Sequence, residues 1–241
     1  MSNDSGKKYH NECTGAALET YYEVDPYKKP QDLLNVSPKG LVPGLRLDNY
    51  DPPRPLNEST VILEYVEEIA KNTTNRSLLP PSSDPYARAL VRLQADVVNR
   101  TLVPAFYRYL QAQDLSAQIE GGKEFQGGLE QLAALFERAE KENAPDSALG
   151  LWREGGDLGW TDVMAGPWLF RASNVLKHYR GFELPPSTKF HAWLDRLFAH
   201  PVFKRTCSTE DLYLDSYERY AFNRPNTSQV AKAINEGKGL P

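Results

Sequence analysis

Three short stretches of this chain carry residues whose types and spacing could do chemistry. The first is Gly40-Leu-Val-Pro43. A proline inside a strand-like run cannot donate to a sheet ladder, so it needs an edge or a special geometry. A cis Val42–Pro43 bond would turn the chain and leave the Val42 N–H and C=O to pair with an extended ligand backbone. On these four residues alone, an ordinary strand-end turn competes with that reading. The second is Asn57-Glu58-Ser59, which opens a helical pattern. Ser59 is a natural N-cap, and the first-turn N–H groups behind it form an anion site for a carboxylate, with Glu58 beside it to hold an ammonium. A plain cap next to a solvated glutamate is the competing reading. The third is Gly159-Trp-Thr-Asp162. With Gly159 at the N-cap, Asp162 falls at the third helical position and can accept from the cap's N–H. That role is structural, setting the register of a core helix.

Nucleophiles and metal ligands are sparse. The two cysteines, Cys13 and Cys207, make no disulfide framework and suit a reducing compartment. Glu12 beside Cys13 raises a thiol's pKa rather than lowering it. Cys207 follows Phe203-Lys-Arg-Thr206 at a helix junction, where a structural role is expected. Ser2, Ser5 and Tyr9 offer hydroxyls, but no motif supports them. His178, His191 and His200 lack metal-ligand spacing, so no metal site is expected.

The elements that must position these residues change character near residue 80. Before it, segments are short. Tyr21–Val24 reads as a strand. Pro30–Asn35 gives one or two helical turns, with Pro30 suited to the first helical position. Leu41–Leu47 reads as a strand interrupted by proline, Asn49–Pro53 as a hairpin loop and Arg54–Leu56 as the return strand. Ile62, Tyr65, Val66 and Ile69 fall at helical spacing after Ser59, with Glu64, Glu67, Glu68 and Lys71 on the other face. Leu78-Leu-Pro-Pro-Ser-Ser-Asp84 is a linker that can cap the next helix, with Pro85 in its first turn. From there nearly everything is helical. Tyr86–Gln113 carries Leu90, Leu93, Val97 and Leu110 on one stripe and should kink at Pro104. Gly121-Gly122 and Gly155-Gly156 read as breaks. Glu124–Glu142, Trp160–Tyr179, Thr188–Ala199 and Asp211–Tyr220 follow as helices. Trp160–Tyr179 is the most apolar and belongs in the core. Residues 223–241 read as a tail packed over the body.

Composition narrows the function classes. The 241 residues fit one large domain or two small ones. With 28 basic and 32 acidic residues the net charge is −4, which lacks the basic footprint of a nucleic-acid binder. No apolar run approaches the roughly 20 residues of a membrane span. The polar first ten residues carry no secretory signal, so a cytoplasmic protein is expected.

Taken together, Tyr21–Pro30, Ser37-Pro-Lys-Gly-Leu-Val-Pro43, Asn57-Glu-Ser59 with Ile62-x-x-Tyr65, and the Gly159–Asp162 cap resemble the cytosolic glutathione transferases. Pro167-Trp168-x-Phe170 and Asn223-Arg-Pro-Asn-Thr-Ser-Gln-Val-Ala are most similar to the omega-type, fungal omega-like branch. The resemblance implies an α/β plus all-α protein in two domains: a thioredoxin-like glutathione-binding domain at 1–78, a linker at 79–85 and an all-helical domain with tail at 86–241. It implies glutathione as cosubstrate, a small electrophilic or disulfide substrate and a homodimer. In fungi it extends to secondary-metabolite intermediates as substrates. By position, Val42 would pair with the cysteinyl backbone of glutathione and Pro43 would be the cis proline. Glu58 and Ser59 would hold the γ-glutamyl group, and Lys29 the glycyl carboxylate, with Lys28 an alternative. Phe106, Tyr107 and Tyr109 would lie on the helix that lines the cosubstrate pocket, against a reading as ordinary packing.

The resemblance fails at the front. The family places its nucleophile after the first strand, where a helix N-terminus lowers a thiol's pKa. No Cys-Pro-Phe-like motif stands there, so the catalytic residue is left unassigned and the first strand is not seen. The domain then needs a substitute segment, a partner chain or a longer N-terminus. Two functions follow: an enzyme that conjugates glutathione or carries out glutathione-dependent thiol transfer, or a binding protein of the same fold that has lost its nucleophile.

Overall fold

Two compact units meet between Ser77 and Leu78. The computed structural model describes residues 28–226 and 228–238. The expectations for Tyr21–Val24, Cys13, Ser2, Ser5, Tyr9 and the first strand lie outside these residues.

In the first unit, helix α1 (Gln31–Val36) follows Pro30, whose φ of −71° and ψ of 154° put it at the N-cap, one place ahead of the first helical position. Leu33 is its buried residue. The strand begins later than the sequence suggests. Strand β1 is Gly44–Leu47 and pairs antiparallel with β2, Arg54–Asn57, with Gly44 opposite Asn57 and Leu47 opposite Arg54. Both Val42–Pro43 and Asp51–Pro52 are cis. The Arg54 guanidinium covers the Tyr50 ring at 4.2 Å across the hairpin loop. Helix α2 (Ser59–Thr74) ends at Asn75, whose left-handed backbone lets its N–H reach Lys71 O at 3.2 Å. One residue assigned to the polar face turns inward: Glu67 is buried and accepts a hydrogen bond from Ser77 Oγ. That bond offsets the cost of removing its carboxylate from water.

The second unit starts at Leu78, whose carbonyl takes the Trp160 N–H at 2.9 Å and so belongs with the helices. Asp84 caps α3 (Pro85–Val97) by accepting from Ala87 N at 2.9 Å. A π-helical turn, Val98–Leu102, then leads into α4 (Val103–Gln111), with Pro104 in its first turn. The irregularity that a proline demands is taken up by this wider turn. Leu90, Val97 and Leu110 are buried as their spacing predicts, but Leu93 faces outward and Gln94 takes the inner position. Helix α5 (Leu115–Lys141) runs unbroken through Gly121 and Gly122, correcting the expected break. A Cβ on Gly121 would lie 2.8 Å from Tyr109 Cα. The glycine permits close contact with α4, and that packing outweighs a helical glycine's cost of about 0.5–1 kcal/mol.

Four short elements escape the sequence reading or shift its bounds: α6 (Asp146–Leu149), the 3-10 turn Gly150–Trp152, α10 (Pro201–Thr206) and α12 (Gln229–Asn235). The apolar Trp160–Tyr179 run divides into α7 (Trp160–Arg171), a second π-helical turn (Ala172–Leu176) and α8 (Lys177–Arg180). Ser187 caps α9 (Thr188–Ala199), and Thr209 caps α11 (Glu210–Ala221). The core gathers Phe136, Trp152 and Trp193; the rings of the first two stack 4.8 Å apart. The tail does pack over the body. Gln111 Nε2 donates to Ala231 O on α12 at 3.3 Å, and Ala231 is buried.

Candidate functional site

The β1–β2 hairpin brings Val42–Pro43 and Glu58–Ser59 to the same end of the sheet. Gly44 closes the ladder opposite Asn57, so Val42–Pro43 directly precede one strand of the pair and Glu58–Ser59 directly follow the other. Val42 lies ahead of β1 and is 65% exposed, so the ladder does not use its N–H or C=O. An extended ligand backbone pairs with groups of this kind, next to a strand but outside its ladder.

Ser59 is the first residue of α2, not its cap. The cap position belongs to Glu58, which has φ 70° and ψ 115° and gives no side-chain cap hydrogen bond. A non-glycine residue in that region costs on the order of 1–3 kcal/mol and persists where its surroundings impose it. Here the bend turns the chain from β2 into α2, with the Glu58 carboxylate and Ser59 hydroxyl both exposed at the helix start. The opening N–H groups of this 16-residue helix have no carbonyl partner within it. A carboxylate meets N–H donors and a hydroxyl there, while an ammonium meets Glu58.

Lys29 approaches the same end. Its Nζ donates to Lys39 O at 3.3 Å, and its side chain crosses Gly40 so closely that a Cβ there would lie 2.5 Å from Lys29 Cδ. Gly40 has φ 65°, so both its backbone and the lysine stem demand glycine. Among the described residues Lys28 has no such contact, and it is exposed. Val42–Pro43 and Glu58–Ser59 thus share one end of the hairpin, and Lys29 lies against Gly40, two residues before Val42.

The aromatic residues of α4 all pack in the core, which supports ordinary packing. Tyr109 donates from Oη to Arg180 O at 3.2 Å. Phe106 and Tyr107 meet each other and both meet Trp168 and Tyr217, and Tyr107 also meets Tyr220, with ring centroids 5.5–6.4 Å apart. Burial raises the Tyr107 phenol well above its ordinary pKa, and the Tyr217 and Tyr220 phenols add to this. The Tyr217 phenol is raised too, by burial, while Arg171 opposes the shift. Both remain neutral hydrogen-bond donors. Cys207 lies at the end of α10, and burial raises its thiol, so it is not a primed thiolate. Among the described residues no group of three His, Cys, Asp or Glu could hold a metal, and no helix is long and apolar enough to cross a membrane. The Trp168–Tyr217–Arg171 grouping escapes the sequence reading. Its one signal is spacing, with Tyr213, Tyr217 and Tyr220 along one helix and Trp168 three residues before Arg171.

Known proteins agree with this architecture. Residues 16–69 match the family model for the glutathione S-transferase N-terminal domain. Glutathione S-transferase U7 of Arabidopsis thaliana is 28% identical over 200 residues, covering 80% of this chain and 78% of that protein. The crystal structure of glutathione transferase Omega 3C from Trametes versicolor is 31% identical with a TM-score of 0.65, covering 84% of this chain and 79% of the other. Rice GST1 (OsGSTU1), solved in complex with glutathione, shares the fold at 24% identity and a TM-score of 0.62, covering 85% of each chain. The chain belongs to the glutathione S-transferase superfamily, with its thioredoxin-like N-terminal domain and all-helical C-terminal domain.

Proposed function

We propose that this protein is a glutathione transferase. It joins glutathione to an electrophile, or exchanges thiols with a small disulfide, with glutathione as cosubstrate. The observation that carries this reading is the hairpin that puts cis Val42–Pro43 and Glu58–Ser59 at the same end of the sheet, with Lys29 reaching Lys39 O beside Gly40. A zwitterionic tripeptide needs backbone pairing at its middle and charge complements at its ends. Val42 would pair with the cysteinyl backbone beside the Pro43 turn. Ser59 and the α2 start would take the γ-glutamyl carboxylate, Glu58 its ammonium and Lys29 the glycyl carboxylate. The glutathione sulfur then attacks as thiolate, forming a bond to the electrophilic carbon or to one sulfur of the disulfide while the leaving group departs with the electron pair.

The 31% identity to an omega-class fungal enzyme supports the omega-like branch. A cytoplasmic homodimer is the form this reading adopts, and a secondary-metabolite intermediate is the substrate it extends to. The test is retention of the purified protein on immobilised glutathione and elution by free glutathione. Turnover is then measured with an aryl halide and with a small disulfide, for the native protein and for Cys13→Ser. A folded protein that passes through the column unretained would sink the reading. Activity lost in Cys13→Ser would assign the nucleophile, and activity kept would place the chemistry on glutathione's own thiol or a hydroxyl.

A further inference from the structure

We propose that Ser37 is a positioning residue for glutathione. Its buried hydroxyl fixes Leu41, and through Leu41 the backbone of Val42, before the tripeptide arrives. The role rests on the transferase reading for the identity of the ligand.

Ser37 closes α1 and opens the turn that leads to cis Val42–Pro43. Its N–H donates to Leu33 O at 2.7 Å, which ends the helix. Its C=O accepts the Gly40 N–H at 2.7 Å, which closes a turn across Pro38 and Lys39. Both bonds join backbone to backbone, so an alanine at 37 would keep them. The hydroxyl has a separate task. Oγ reaches past the turn and accepts the Leu41 N–H at 3.2 Å. Ser37 is 1% exposed, while Pro38 and Lys39 at the corner of its own turn are exposed. Serine is seldom buried so deeply, and the bond to Leu41 offsets the cost of taking the hydroxyl out of water.

The placing of that bond gives it leverage over the site. Leu41 directly precedes Val42, and the β1–β2 ladder begins two residues after it, at Gly44. Val42 is thus bracketed by the Ser37 hydroxyl on one side and by the ladder on the other. Without the hydroxyl, the fixed point ahead of Val42 moves back to Gly40, whose N–H bonds the Ser37 carbonyl. The peptide plane between Leu41 and Val42 then turns more freely. An extended ligand pairs only with a Val42 N–H and C=O that face it together. Freedom in that segment is lost on binding, and a segment ordered beforehand avoids the loss.

The same turn meets the cation. Lys29 Nζ donates to Lys39 O at 3.3 Å, and the lysine stem lies against Gly40. Ser37 therefore orders one short piece of chain that meets Lys29 at its corner and presents Val42 at its end.

The test measures glutathione affinity by calorimetry on the full chain, together with hydrogen exchange. In the ligand-free native protein the Leu41 amide should exchange about tenfold or more slower than in an unstructured peptide. Adding glutathione should then protect the Val42 amide. Ser37→Ala should expose the Leu41 amide and weaken glutathione about three- to tenfold, the range for one neutral hydrogen bond. Ser37→Thr keeps the hydroxyl, and the extended backbone at 37 (φ −126°, ψ 97°) suits a β-branched residue. It should recover most of the affinity. Ser77→Ala removes a different hydroxyl from the same unit, the partner of Glu67 beyond the far end of α2. It should leave affinity within about twofold of the native value. An unprotected Leu41 amide in the native protein would overturn the proposal without any variant. So would undiminished affinity in a folded Ser37→Ala, or an equal loss in Ser77→Ala. These outcomes leave the transferase reading standing, whereas a native protein that binds no glutathione overturns both.

Discussion

The indole N–H of Trp193 donates to Asp162 Oδ1 at 2.7 Å, tying α9 to the first turn of α7 across 31 positions of sequence. The other carboxylate oxygen takes two backbone donors, Gly159 N at 2.8 Å and Leu151 N at 2.9 Å. Asp162 is fully buried, so a side chain that caps one helix also fixes the 3-10 turn and a third helix. An asparagine can offer one oxygen. If that oxygen keeps the two backbone donors, its amide nitrogen faces the indole N–H, donor against donor. Asp162→Asn should therefore cost about 1–3 kcal/mol in urea unfolding, and Trp193→Phe a similar amount from the unpaired Oδ1 alone. An unchanged midpoint in both would refute the joint role.

The same carboxyl makes stability depend on pH. Burial pushes the Asp162 pKa up to about 6, against the opposing backbone and indole hydrogen bonds and the nearby Arg196. The ordinary value is about 3.9, so the folded protein holds this proton more tightly than the unfolded chain. Its stabilising contribution is complete below about pH 4 and is lost as pH rises through about 6. The native protein should therefore exceed Asp162→Asn in stability by about 2 kcal/mol more at pH 4 than at pH 7. Unfolding curves of both proteins at the two pH values give this difference directly, and a constant gap would contradict it.

How far the sequence discloses this molecule depends on whether a residue's role is local. Asp84 and Asp162 were readable as helix-start residues, because a cap contacts N–H groups two or three positions away. The run through Gly121 and Gly122 was not readable, since the gain comes from Tyr109 on another helix. Glu67 looked solvated because its partner, Ser77, lies ten residues on and beyond the helix end. At the hairpin, the order of Val42–Pro43 and Glu58–Ser59 was visible, but that they flank the same end of the sheet follows only from the strand pairing. The strained Glu58 backbone has no signature in residue type, because glycine or asparagine would be the usual choice. Arg171 and Asn174 were silent for a different reason. What distinguishes them is a buried nitrogen without a partner, Nε and Nδ2 in turn, which only packing discloses.

Two glycines of α5 should respond in opposite directions to the same substitution. Alanine is the better helix former by about 1 kcal/mol. At Gly127 a Cβ meets nothing within 4 Å, so Gly127→Ala should stabilise by roughly 0.4–1 kcal/mol. At Gly121 the new atom would meet the Tyr109 backbone at 2.8 Å, and backbone cannot swing aside. Gly121→Ala should destabilise by about 1–3 kcal/mol despite the propensity gain. Thermal melts of the two variants decide the matter, and shifts of the same sign would show that α4 and α5 are not held as described.

Arg180, like Arg171, meets no carboxylate among the described residues, but its environment is the inverse. Nε donates to Tyr109 O at 3.1 Å, Nη1 to Tyr179 O at 2.8 Å and Nη2 to Ala221 O at 2.6 Å, with Leu110 O also within reach of Nη2. These carbonyls belong to the C-terminal ends of α4, α8 and α11, where helix dipoles concentrate negative partial charge. Three helix ends thus share one cation in place of a counter-ion. Burial lowers the Arg180 pKa from its ordinary value, yet a guanidinium stays charged throughout the working pH range. Arg180→Met should release the end of α11, costing about 2 kcal/mol or more from charged hydrogen bonds lost together. Lysine cannot reproduce a planar fork, so Arg180→Lys should recover only part of that. Hydrogen exchange gives the sharper readout. Amides near Ala221 should exchange faster in the variant, while those of α9, which Arg180 does not touch, should keep their rates. Uniform acceleration across the helical unit would mean a general loss of stability and no specific clamp.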